Sequence, residues 1–134
     1  MATFKNFEDI EAWQRARILS KLIYEVSKKE PFSKDFGLKD QIRRSTGSVM
    51  DNIAEGFERG GAVEFIHFLT ISKGSVGEAK SQLYRALDQN YINEENFNEL
   101  YKLTDEVSKM IGGLIVYLNN SPHKGLKFKD RKNK

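Results

Sequence analysis

Proline occurs only at Pro31 and Pro122, and the long stretch between them contains none. A proline inside a helix removes a backbone hydrogen bond and collides with the preceding turn, so its absence permits long helices. Apolar residues in this stretch recur every three or four positions, the period of one helix face. The strict alternation of a half-buried strand does not appear.

Four helices are predicted from this pattern. The first runs from about Glu8 to Lys29, with Ile10, Trp13, Ala16, Leu19, Ile23 and Val26 inward and Phe4 and Phe7 placed to pack over its start. Lys28 and Lys29 suit a helix C-terminus and Pro31 stops the helix. The second begins near Ser33 to Leu38, with Ser33 or Asp35 as cap, and ends near Phe57. Its inward face is Leu38, Ile42, Ser45, Val49, Ile53 and Phe57. Gly47, amid Ser45, Thr46 and Ser48, costs a helix about 1 kcal/mol relative to alanine, which points to close approach by another helix. After Gly60 and Gly61 the third helix covers Ala62 to Gln89, with Phe65, Phe68, Leu69, Ser72, Val76, Ala79, Leu83 and Ala86 at near-heptad spacing. Gly74 and Gly77 read as packing positions. Asn93 caps the fourth helix, Glu94 to Asn119, whose inward face is Phe97, Leu100, Thr104, Val107, Ile111, Leu114 and Leu118. Short loops between long helices force antiparallel neighbours. The expected fold is all-α: an antiparallel up-down-up-down four-helix bundle over residues 1–120, followed by a basic, flexible tail over 121–134.

Charge needs dividing along the chain. Lys and Arg number 22 against 19 Asp and Glu. The segment from Ser121 holds Lys124, Lys127, Lys129, Arg131, Lys132 and Lys134 against only Asp130, so the body before it is slightly acidic. An isoelectric argument for nucleic-acid binding by the body therefore fails, and any binding must come from local patches. There is no Cys, hence no disulfide framework and no thiolate metal site. No apolar run approaches the roughly 20 residues of a membrane span, and the start of the chain lacks a secretory signal. A cytoplasmic protein without membrane contact is expected.

A search for chemistry yields little. Glu64 and His67 form an E-x-x-H pattern, but a di-iron bundle needs two such motifs and two more glutamates. The only other histidine is His123, and His67 lies opposite its helix's apolar stripe. No serine sits in a nucleophile elbow. Asp51, Glu55 and Glu58 read as solvated helix-surface acids. No metal, cofactor or catalytic residue is expected, and the chain reads as a non-enzyme. The basic residues say more. Arg43 and Arg44 adjoin on the outward side of the second helix and Arg59 lies at the turn beyond. Lys73 and Lys80 share a stripe on the third helix, and Arg15 and Arg17 extend the surface from the first. These seven side chains are the predicted phosphate-binding set for RNA or DNA, neutralising a backbone without reading sequence. The alternative is ordinary solvation of helix faces.

Several blocks together carry a resemblance. Phe7 to Ala16 (FEDIEAWQRA), Gln41 to Ser45 (QIRRS), Asn52 to Gly56 (NIAEG), Glu64 to Leu69 (EFIHFL) and Ser72 to Ser75 (SKGS) occur in order. They resemble the signatures of the four-helix bundle family encoded in intervening sequences of bacterial 23S rRNA genes. The accessory variability determinant proteins of diversity-generating retroelements look like relatives. Ser45 and Ser72 stand where that family is expected to have alanine, and Gly47-Ser48 also departs from it. The resemblance implies a ring-shaped homopentamer, a non-enzymatic role, and RNA, DNA or a reverse transcriptase as partners. A self-associating protein-interaction scaffold without nucleic acid is the alternative. The NIAEG block has two readings, a helix contact or a binding surface, and its apolar residues favour the contact.

Overall fold

A computed structural model describes residues 4–120. The predicted tail lies outside the described residues. The helices are α1 (Glu11–Ser27), α2 (Phe36–Glu58), α3 (Ala62–Asp88) and α4 (Glu94–Asn120), with 3-10 turns at Phe7–Asp9 and Phe32–Lys34. Each lies within a few residues of its predicted bounds.

The ends follow from local chemistry. The first helix is preceded by a separate turn because Asp9 folds back: its Oδ2 accepts from the backbone N–H groups of Lys5 and Asn6 at 3.2 and 3.0 Å. Ile10 is then extended (φ −81°, ψ 119°) and drops into the core before α1 starts. Of the two suggested caps, Asp35 is the one used, its Oδ1 accepting from the Leu38 N–H at 3.1 Å. Gly60 makes the α2–α3 turn at φ +90°, a conformation that side chains rarely adopt. Asn90 ends α3 in the left-handed region at φ 62°, and the Asn93 Oδ1 caps α4 by accepting from the Asn96 N–H at 2.7 Å.

The core has two clusters. One joins Ile10 and Ala16 of the chain's start, Val49 to Phe57 of α2, Ala62 to Val76 of α3 and Val107 to Leu118 of α4. The other joins Leu19 and Ile23, Leu38 and Ile42, Leu83 and Ala86, and Phe97 and Leu100. Successive helices run from one cluster to the other and back, which is the up-down-up-down topology. Thr46, Ala79 and Thr104, all fully buried, fall between the clusters along their helices. Both threonine hydroxyls donate to carbonyls of their own helix, Thr46 to Ile42 at 3.0 Å and Thr104 to Tyr101 at 2.6 Å. Packing runs around the square α1–α2–α3–α4–α1, and α2–α3 is the most extensive side.

That side also corrects the reading of the glycines. A Cβ built at Gly47 meets no atom within 4 Å, and the same holds for Gly74 and Gly77. None of them serves helix packing among the described residues. The close approach is at Gly56, where a Cβ would lie 2.6 Å from the Phe68 Cβ and 3.1 Å from the Phe65 Cδ1. Hydroxyls close the rest of the seam: Ser72 donates to the Val49 carbonyl at 2.8 Å, and Ser48 and Ser75 share a 2.9 Å bond. Serine at positions 45 and 72 is thus used, since Ser45 also reaches Gln41 O at 3.0 Å.

Candidate nucleic-acid interface

The seven predicted basic residues do not form one surface. Arg15 faces α4, where its Nη1 bonds Glu106 Oε1 at 2.6 Å. Lys80 crosses to α4 on another side, 3.1 Å from Asp105 Oδ1, with its ammonium 5.1 Å from the Tyr101 ring centre. Arg44 bonds Asp40 at 2.8 Å along its own helix. Arg59 is held between Glu55 at 3.0 Å and Glu64 at 3.4 Å, and the Glu55 hydrogen bond chiefly raises its pKa. Four of the seven are therefore paired with acids. Such pairs at or near the surface stabilise weakly, but they leave less positive potential for a phosphate. Lys73 is exposed near α4, its Cε 3.6 Å from where a Gly112 Cβ would sit. The lysines at 73 and 80 therefore differ: only Lys80 has an acid partner among the described residues.

Arg43 and Arg44 also separate. Arg44 is exposed, whereas Arg43 is half-buried against α1. Its Nε donates to the Ser27 hydroxyl at 2.8 Å and its guanidinium lies 4.3 Å from the Tyr24 ring centre. Asn52 of the NIAEG block bonds within α2, to Ser48 O and Oγ at 2.9 Å each, and Glu55 bonds Arg59 just past the helix end.

What remains is a surface on α1. Trp13, Arg17, Lys21, Tyr24 and Lys28 are spaced four, four, three and four apart, so they form one stripe about 22 Å long. Arg17, Lys21, Tyr24 and Lys28 are exposed, and Trp13 is half-buried. The Arg17 guanidinium lies 5.9 Å from the Trp13 ring centre. Arg43 joins the stripe from α2 through Tyr24. Among the described residues none of Arg17, Lys21, Lys28 or Arg43 has an ion-pair partner, although Glu25 lies on the same side of α1. Trp13, Gln14, Arg17, Ile18 and Lys21 line a shallow cleft of about 360 Å³. Cations alternating with aromatic rings suit a single strand, whose phosphates take the charges and whose bases stack. Sequence reading found Arg17 and Arg43 but missed Trp13, Lys21, Tyr24 and Lys28. Their four-and-three spacing was the available signal.

His67 is exposed with its ring 5.5 Å from Phe68, and no group of metal-ligating side chains is present among the described residues. Among those residues no helix is long and apolar enough to cross a membrane.

Comparison with known proteins places the chain beside a sequence family and beside solved structures. The sequence profile of the 23S rRNA-intervening sequence protein family matches residues 8–113. The fold matches a crystal structure from Bacteroides thetaiotaomicron VPI-5482, described as a protein with unknown function from the S23 ribosomal protein family. The TM-score is 0.73 at 22% identity, covering 78% of this chain and 95% of that one. At that identity the likeness shows the fold alone. No curated protein matches the chain.

Proposed function

The chain belongs to the family of 23S rRNA-intervening sequence proteins, and from that membership we propose that it is a non-enzymatic, oligomeric helical-bundle protein that binds nucleic acid or a nucleoprotein partner in the bacterial cytoplasm. The carrying observation is the α1 stripe, where Arg17, Lys21, Lys28 and Arg43 have no acid partner among the described residues and lie beside Trp13 and Tyr24. Its chemistry favours single-stranded RNA or DNA with little sequence preference. The resemblance of its sequence blocks to those of retroelement accessory proteins is the reason to include a reverse transcriptase among the partners. The basic segment 121–134 adds cations to the same task.

The test is binding of a fluorescent single-stranded RNA as salt is raised. Arg17→Ala with Lys21→Ala should weaken binding and flatten the dependence of log affinity on log salt by about one for each phosphate left without its cation. Unchanged affinity at low salt rejects the stripe.

A second reading, assembly into a ring of five as a scaffold, is supported by Gly47, Gly74 and Gly77. Each weakens its helix by about 1 kcal/mol relative to alanine, and none is needed by a contact within the chain. A neighbouring copy packed on these faces would account for them. Light scattering tests it: a monomer at working concentration removes the reading.

A further inference from the structure

The seam between α2 and α3 opens outward into a polar groove of about 510 Å³. That volume lies within the usual range for small-ligand sites, about 300 to 1,000 Å³. Arg44, Arg85 and Gln41 line one end, and Glu78, Gln82 and Ser48 line the remainder. Arg85 is fixed at its end by donating from Nη1 to the Gln41 Oε1 at 2.8 Å. Arg44 is turned by its Nε bond to Asp40 at 2.8 Å. Both guanidiniums keep further N–H donors without a partner among the described residues. Gln82 is different. It is only 7% exposed, and its Oε1 is buried with no hydrogen-bond partner among the described residues. A buried acceptor without a donor is costly, and the polar network around it does not supply one. Glu78 adds a second acceptor beside it, reached among the described residues only by the Ser45 hydroxyl at 3.4 Å.

We propose that this groove binds a nucleoside phosphate, free or as one unit of a strand. The phosphate would lie between Arg44 and Arg85, matching the planar guanidinium donors. The base would turn its amino or imino N–H edge toward Glu78 and, once the Gln82 amide turns outward into the groove, toward the Gln82 Oε1. Arg85 and Glu78 are seven residues apart on α3, so the two ends are separated by about 10 Å. A small zwitterion such as glycine carries its ammonium and carboxylate on one carbon and cannot span them. Inorganic phosphate would satisfy the arginines and leave the Gln82 acceptor empty. This site is separate from the α1 stripe, and either can fail alone.

The test is a nuclear magnetic resonance titration of the full-length protein with adenosine monophosphate, inorganic phosphate and poly-glutamate. Saturable shifts at Ser48, Ser81 and the Gln82 side chain are expected with the nucleotide. Arg85→Ala should weaken that binding at least about tenfold. Gln82→Leu should weaken the nucleotide but leave inorganic phosphate unchanged. Arg85 is exposed, so its variant decides the matter if Gln82→Leu does not fold. Arg17→Ala with Lys21→Ala should leave nucleotide binding intact. Absence of saturation overturns the proposal, as does equal or tighter binding of phosphate or poly-glutamate, or an unchanged affinity in Arg85→Ala. Binding only to an oligonucleotide, abolished by the α1 variant and kept with Arg85→Ala, overturns it in favour of the stripe alone.

Discussion

The Tyr91 hydroxyl donates to Asp35 Oδ2 at 2.9 Å while the other carboxylate oxygen, Oδ1, caps α2. One side chain thus starts a helix and ties it to the loop between α3 and α4. Phe32 stacks on the same tyrosine, with ring centres 5.1 Å apart. The Leu38 N–H lowers the Asp35 pKa most, followed by Tyr91, whose own pKa is raised chiefly by that bond. A carboxyl held below its unfolded value stabilises the fold above that value, 3.8, and loses the contribution as pH falls through the folded pKa. Asp105 is lowered in the same sense, first by Lys80 and then by Lys109. The melting temperature should therefore drop as pH falls below about 4. Asp35→Asn keeps a capping oxygen and should flatten that drop, read by circular dichroism across pH.

Two glycines of α2 should respond oppositely to alanine. At Gly56 the new methyl meets the Phe68 Cβ at 2.6 Å, and overpacking of this kind costs about 1 to 3 kcal/mol. At Gly47 nothing lies within 4 Å, so Gly47→Ala should stabilise the protomer by up to ~1 kcal/mol. Urea unfolding measures both. If copies pack on that face, Gly47→Ala should also shift the assembly toward smaller species.

Gln82→Leu removes a buried acceptor that has no donor among the described residues. In the absence of ligand the exchange should raise unfolding stability by roughly 1 to 3 kcal/mol, the cost of an unsatisfied buried polar group. A loss of stability would show that the amide has a partner in the folded chain.

The acid-paired arginines should matter less for nucleic acid than the unpaired ones. Arg59→Ala should change the salt dependence of RNA binding by well under one phosphate equivalent, against about one for Arg17→Ala. Glu106→Gln should act the other way by freeing Arg15 from its 2.6 Å pair. Fluorescence titrations at several salt concentrations compare them.

Much of the bundle was legible because helix periodicity reports burial directly. All seven inward residues predicted for α4, from Phe97 to Leu118, are buried. The glycines were harder, because glycine in a helix looks alike whether it admits a neighbour, as Gly56 does, or faces open space, as Gly47 does. The basic set failed to converge for a related reason. Arg15 and Arg17 are two residues apart and so about 200° around the helix, which sends one to α4 and leaves the other exposed. Their partners depend on the register between helices: Glu106 for Arg15 and Asp105 for Lys80 lie on α4 far along the chain. A single helix's spacing carries no information about that register.

The two-cluster core has a mechanical consequence. Every helix supplies apolar side chains to both clusters, so no contiguous length of chain owns either end of the bundle. Loosening the end near Ile10 and Leu118 would fray the start of α1 and the finish of α4 together, although they lie at opposite extremes of the sequence. Opening should therefore travel lengthwise from one end toward the Thr46–Ala79–Thr104 level, with amides from four distant stretches exchanging hydrogen in step.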